Sequence, residues 1–435
     1  MRRGLSVILS VMLLLGLAAC GRAPVEEAQP ERYLVREAIQ TVYGVEAPAA
    51  GEEQVFQLAA AADPAAQPAS AALPQELRAV WFSYLTLEPM AKGRTQAQFT
   101  QAAAAAFQNV AQLGCNTVFV QVRPFGDALY DSQYFPWSSY LTGEEGQNPG
   151  YDPLEILCNL ADEYNLRIEA WINPYRVRAA YATTPMSAQN PAKQWLAAGA
   201  GDALSWNQGV YYNPASEKAQ ELIVNGVREV VQNYDVDGIH FDDYFYPTTD
   251  PAFDAASYQA SGSSLSQADW RRENVNQLIR RVYAAIKEVD PDCIFGISPQ
   301  GNNRINYEEQ YADTALWLST PGYVDYICPQ IYYGYQNSTC PYAETVAQWD
   351  DMIQTEGIRL YVGLAAYKLG QEDTWAGQGK QEWIGTTDLL ARMVRTARGA
   401  QHYGGVALYP YESLFSAQPT QQLDPELQIL GMLFH

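Results

Sequence analysis

Cationic side chains are scarce in this chain of 435 residues: 27 Lys and Arg stand against 49 Asp and Glu, a formal net charge of −22. No basic cluster offers a stripe for phosphates, which excludes nucleic acid as a partner. Histidine is rarer still. There are three, and His240 lies far along the chain from His402 and His435, so no histidine metal centre is called for. None of the six cysteines belongs to a C-x-x-C pair, which removes a structural zinc site. A G-x-S-x-G elbow is missing, and so is a glycine-rich phosphate turn after an early strand. No cofactor and no metal are therefore expected.

Apolar and aromatic residues are plentiful. Hydrophobic residues make up 48% of the chain, with 30 Tyr and 10 Trp. That is ample for a large core, and polar-edged rings also suit sugar-stacking surfaces. At the N-terminus Arg2 and Arg3 precede an apolar run from Leu5 to Leu17, which ends in Leu17-Ala18-Ala19-Cys20. This reads as an export signal over 1–20, too short to stay as a spanning helix. Its end resembles the bacterial lipobox, which implies lipidation of Cys20 and attachment to a membrane face outside the cytoplasm. The other five cysteines, Cys115, Cys158, Cys293, Cys328 and Cys340, are odd in number and read mainly as buried free thiols. Residues 21–74 are rich in Ala, Pro, Glu and Gln, the composition of a flexible tether. Within it, Tyr33–Val45 reads as a short helix or strand able to dock on the folded domain.

From there to residue 435, short apolar runs alternate with helical patterns. The expected strands are Leu77–Tyr84, Thr117–Arg123, Arg167–Asn173, Gly238–Asp243, Ile294–Pro299, Tyr326–Tyr332, Leu360–Ala365 and Gly405–Tyr409. Helical segments such as Gln98–Leu113, Pro153–Tyr164, Ser216–Tyr234 and Trp270–Val289 lie between them. Strands that are nearly all apolar are covered on both faces. Eight of them with crossover helices fit an α/β fold of the (β/α)8 TIM-barrel type over 75–435. The long segments Pro124–Asp152, Pro174–Asn213 and Tyr244–Asp269 then fall on the C-terminal face, where barrel active sites sit.

The stretch Val236–Pro247, VDGIHFDDYFYP, ends the fourth strand in two adjacent acids. Two carboxylates side by side repel and lose hydration, so a fold keeps them only with compensation. Cleaving a glycosidic bond needs a proton donor and a group that stabilises an oxocarbenium-like centre, and two carboxyls do this in the usual layouts. The seventh strand, LYVGLAAY, carries no acid. The candidate catalytic residues are therefore Asp242 and Asp243, or either of them with Glu169 or Glu412. A further option uses the acetamide of an N-acetyl sugar as nucleophile, with one Asp donating a proton and the other orienting the acetamide. Candidate substrate-binding residues converging on the mouth are Gln121, Arg123, Trp171, Asn173, Arg176, His240, Tyr244, Gln330, Tyr332, Tyr333 and Tyr409.

Several phrases together carry a family likeness. RAVWFSY begins at Arg78, NTVFVQVRPFGDALYDSQYFPWSSYLTG at Asn116, and NPGYDPLEILCNLADEYNLRIEAWINPYRV at Asn148. VDGIHFDDYFYP, WRRENVNQLI, FGISPQGNNR and DYICPQIYYGY follow in order. In this combination the chain resembles the glycosyl hydrolase-like ten family of bacterial envelope barrels from roughly Glu76 to Glu412. The resemblance implies a glycoside hydrolase acting on envelope glycan, in some relatives peptidoglycan strands stripped of stem peptides. It places the acidic centre on Asp242 and Asp243, with Arg123, Asn173, Gln330 and Tyr332 along the cleft. Glu169 departs from the pattern, since relatives more often carry histidine before Ala-Trp.

Overall fold

Apolar side chains cover both sides of each barrel strand, and two separate cores result. In the computed structural model, which describes residues 75–415 and 420–435, the strands are β1 (Leu77–Phe82), β2 (Thr117–Arg123), β3 (Arg167–Ile172), β4 (Arg176–Arg178), β5 (Ala203–Trp206), β6 (Gly209–Tyr212), β7 (Gly238–Phe241), β8 (Ile294–Ile297), β9 (Tyr326–Ile327), β10 (Arg359–Ala365) and β11 (Tyr403–Tyr409). Eight of them, β1, β2, β3, β7, β8, β9, β10 and β11, close into a parallel barrel. All eight expected barrel strands are present, and the fold is a (β/α)8 barrel. The export signal, the tether and Tyr33–Val45 lie outside the described residues.

Side-chain alternation sorts the two cores. Val80, Val118, Val120, Ile168, Ile239, Phe241, Phe295, Val362 and Leu408 point outward under the helices. Trp81, Phe119, Trp171, Ile294, Tyr326, Cys328, Tyr361 and Ala407 fill the barrel interior. Burying each such large apolar side chain stabilises by roughly 1.5–3 kcal/mol. Two helices clamp the strand that carries the acidic pair. Glu217–Asn233 starts at Ser216, whose hydroxyl accepts from the Ala219 N–H, and buries Ile223, Val227 and Val230. Gln267–Val289 starts at Ser266, which accepts from the Asp269 N–H, and buries Val275, Ile279, Val282 and Ile286. Their apolar residues recur every three or four positions, and the two helices pack together beside β7 and β8.

Two parts were not legible as regular structure in the sequence. The segment after β3 holds a helix, Pro191–Ala198, and a small antiparallel sheet in the order β4-β6-β5. The β5–β6 turn is Asn207-Gln208, with φ of 45° and 67°. Both central residues lie in the left-handed region, as a tight hairpin turn needs, but no glycine announces it. A final helix, Leu423–Phe434, docks under the barrel, where Arg78 Nη1 donates to the Phe434 carbonyl at 2.7 Å. The expected sixth strand is also shorter than its apolar run. Only Tyr326–Ile327 is regular, after which Gln330 bridges to Gln300 and Gly363 as single pairs. The five remaining cysteines are all free thiols.

Candidate active site

β7 stops at Phe241, and the two acids follow at once. Outward Ile239 and Phe241 put His240 and Asp242 on the inward side. Asp243 lies beyond the ladder and escapes strict alternation. Both carboxylates therefore sit at the mouth of the barrel, only 2% and 3% exposed. Donors from β3 and from the segment after β9 hold one each. Asp242 Oδ2 accepts from Trp171 Nε1 on β3 at 3.1 Å, and its Oδ1 accepts from the Tyr244 N–H at 3.1 Å. Asp243 Oδ1 accepts from Gln330 Nε2 at 3.1 Å, and the same amide donates to the Ser298 carbonyl at 3.0 Å.

Beneath the pair runs a buried hydrogen-bonded chain. Trp81 Nε1 donates to His240 Nε2 at 3.2 Å. An indole N–H only donates, so the imidazole proton is on Nδ1, which donates to Tyr326 Oη at 2.7 Å. The Tyr326 hydroxyl then donates to Glu169 Oε2 at 2.5 Å. Burial pushes Glu169 up to about 8 and His240 down to about 3, so both are neutral near pH 6. Gly296 on β8 makes room for this chain, since any side chain there would overlap the Tyr326 ring.

The other candidate residues lie at different depths. Glu169 is fully buried one inward step below Trp171, away from the mouth. Its hydrogen-bond partner is Tyr326, because the ring of β9 reaches across the barrel. His240 is fully buried as well and lies under the floor of the cleft. Arg123 is 1% exposed and donates to the Phe125 and Pro174 carbonyls at 3.4 Å each, with its guanidinium over Phe135 at 4.7 Å. It ties the segments after β2 and β3 together and interacts electrostatically with Asp242. Gln121 accepts from the Tyr84 N–H at 3.1 Å, and the buried Asn173 gives its N–H to the Arg123 carbonyl. Glu412 follows β11 in the short helix Tyr411–Leu414 and accepts from Thr86 Oγ1 at 2.6 Å, with burial raising its pKa. It secures the exit of β11 to the helix after β1.

Aromatic rings form the rim. Tyr332 and Tyr409 stack at 5.9 Å, with Tyr367 edge-on to both and Trp81 edge-on to Tyr409. On another side, half-exposed Arg176 lies over Tyr244 at 4.7 Å and Phe125 at 5.1 Å, near Tyr181. Tyr333 is half-buried with its ring against Gly301. Sequence reasoning missed Trp81 and Tyr367. The inward position of Trp81 on its strand and the placement of Tyr367 just past β10 were the available signals. Among the described residues, no group of three His, Cys, Asp or Glu is placed to hold a metal ion.

Glu169 makes a stability prediction. A carboxyl held near 8 in the fold and near 4.5 when unfolded keeps its proton only in the folded state across that interval. Its contribution is whole below about 4.5 and is lost as pH rises towards 8. Wild-type Tm is therefore expected to fall relative to Glu169→Gln between pH 5 and pH 8. Parallel melting curves across that range would contradict the burial argument.

Comparison with known proteins agrees with the geometry. The family model for glycosyl hydrolase-like 10 matches residues 76–378. The chain belongs to the glycosyl hydrolase-like 10 family. The chain is 35% identical to glycosyl hydrolase YngK of Bacillus subtilis over 361 residues, 77% of this chain and 69% of that protein. It is 36% identical to glycosyl hydrolase DigH of Escherichia coli K12 over 313 residues, 65% of this chain and 69% of DigH. The glycoside hydrolase domain of PgaB (BpsB) from Bordetella bronchiseptica superposes with a TM-score of 0.54 at 13% identity, covering 81% of this chain and 98% of that domain. The catalytic domain of a β-amylase from Paenibacillus polymyxa superposes with a TM-score of 0.51 at 13% identity, covering 84% and 100%. These two likenesses are of fold. In this member of the glycosyl hydrolase-like 10 family, the acidic phrase falls on the strand end that faces the barrel mouth.

Proposed function

We propose that this protein is an exported, lipid-anchored glycoside hydrolase that cleaves N-acetylhexosamine-containing envelope glycan, with peptidoglycan strands stripped of stem peptides as substrate. The observation that carries this reading is the Asp242–Asp243 pair, split between Trp171 and Gln330 within an aromatic mouth. Asp243 protonates the leaving oxygen. Asp242 already takes two N–H donors, and a carboxylate has lone pairs for a third, such as the substrate's acetamide N–H. The acetamide oxygen then attacks C1 as the glycosidic bond breaks, and water reopens the resulting ring. The Tyr332 hydroxyl, half-buried on the rim, is the candidate donor to the acetamide oxygen.

Purified denuded glycan strands provide the test. The reading expects new reducing ends and inhibition by a chitooligosaccharide thiazoline. Tight binding of strands by the intact protein with no products would point to a glycan-binding scaffold. Anchoring rests on Leu17-Ala18-Ala19-Cys20. Cys20→Ser is expected to move the protein from the membrane fraction to the soluble one, and unchanged partition would remove the lipid from the account.

A further inference from the structure

Of ten tryptophans, nine are buried or half-buried, and one is not. Trp375 is 59% exposed on the segment that follows β10, on the C-terminal face of the barrel. Leaving a side chain of that size in water forgoes much of its burial energy, so an exposed indole calls for an explanation.

The backbone beneath it is tightly held. Lys368 Nζ donates to Asp373 Oδ2 at 3.1 Å and to the Tyr332 carbonyl at 2.8 Å, and both charged residues are buried. Asp373 Oδ1 accepts from the Trp375 N–H at 3.3 Å, and the Asp373 carbonyl accepts from the Ala376 N–H at 3.0 Å. Ser338 N–H donates to the Ala376 carbonyl at 3.1 Å, which laces the segment to the one after β9. Gly379 lies so close to the Gln336–Asn337 backbone that no side chain would fit. Removing one partner of a buried ion pair is costly, so the segment is fixed in place. The ring is presented on a rigid support.

Its surroundings select among occupants. Gln371, Glu372, Thr374 and Gln378 beside it are all exposed and polar. A protein interface would surround an anchor ring with further apolar surface. One flat ring among amides, a hydroxyl and the exposed Glu372–Lys380 ion pair suits the apolar face of a pyranose whose hydroxyls turn to the rim. The tie from Lys368 to the Tyr332 carbonyl makes this support continuous with the aromatic mouth. A ring held on a preformed support also costs little ordering entropy on binding.

We propose that Trp375 is a distal sugar-binding platform, stacking a pyranose unit of the glycan strand several units from the bond cleaved. This rests on the glycan-hydrolase reading. It predicts a dependence on substrate length. With intact protein, Trp375→Ala is expected to lower kcat/KM on long denuded strands about threefold to tenfold, the size of one ring contact. On a disaccharide glycoside too short to reach the platform, kcat/KM stays unchanged, and Trp375→Phe recovers part of the loss on long strands. Binding of a chitin-type hexasaccharide, followed calorimetrically, is expected to weaken by the same factor. No change with any length overturns the platform, and so does an equal loss on short and long substrates. A shift from dimer to monomer in Trp375→Ala also overturns it, since the ring would then be an interface residue. If wild type yields no products but hexasaccharide binding still depends on Trp375, the hydrolase reading falls and the platform stands. If neither products nor binding is found, both fall.

Discussion

Asp243→Asn is expected to lower turnover of denuded glycan strands by about 10²–10⁴-fold, the usual worth of a positioned general acid. The asparagine keeps the shape and an acceptor for the Gln330 amide, whose 3.1 Å hydrogen bond holds the present side chain. What it lacks is the proton for the leaving oxygen. A substrate with a good aryl leaving group needs little protonation, so Asp243→Asn should retain far more activity on it than on strands. Asp242→Asn should lose activity on both, because the acetamide or the oxocarbenium-like centre still needs its negative charge. Rescue of Asp242→Asn alone would exchange the two roles. Loss of neither activity would remove the pair from the chemistry. Thermal melting separates this from misfolding. Asp243→Asn relieves repulsion between adjacent buried acids, so its Tm should hold or rise. Asp242→Asn also sets an amide NH2 against one of its two N–H donors and should lose a little Tm.

Asp254→Ala is expected to cost about 3–5 kcal/mol of stability. Asp254 and Arg271 form an ion pair with side chains 0% and 1% exposed. The guanidinium gives three hydrogen bonds to that carboxylate, two from Nε at 3.1 and 2.9 Å and one from Nη2 at 2.5 Å. It also donates to the Asp250 carbonyl at 2.8 Å and to Tyr311 Oη at 3.0 Å, and it lies over Tyr246 at 5.2 Å. Alanine would leave a buried cation with no counter-charge. Urea unfolding should show the midpoint falling, with partial recovery when Arg271→Leu is added, because the stranded charge then goes too. No recovery in the double variant would argue against this explanation. The effect should reach activity as well, since the same arginine pins the segment leading away from Asp243. The surviving folded fraction is expected to turn over more slowly.

The barrel was legible because its signal is repeated eight times. Each strand is a short apolar run with a polar end, and tolerance for errors at one boundary is high. The acidic pair was legible because adjacent acids closing an apolar strand are electrostatically costly. Its solution was not, since that depends on Trp171 and Gln330, donors from strands far apart in the chain. The same lack of long-range information hid the depth at which Glu169 and His240 lie. An inward polar residue near a strand end reads identically whether it lies at the mouth or one layer down. Glu169 and Tyr326 are 157 residues apart, and no local pattern pairs them. The hairpin of β5 and β6 was missed for a different reason, because Asn207-Gln208 lacks the glycine that usually marks such a turn.

The buried chain from Trp81 to Glu169 bears on how kinetics of this protein would be read. His240 remains neutral above about 3 and Glu169 remains neutral below about 8. Between those limits the floor of the cleft holds one fixed charge state and one imidazole tautomer. A titration seen in kcat/KM within that interval therefore cannot originate in the floor. A limb of a pH–rate profile inside that window reports a group other than Glu169 or His240.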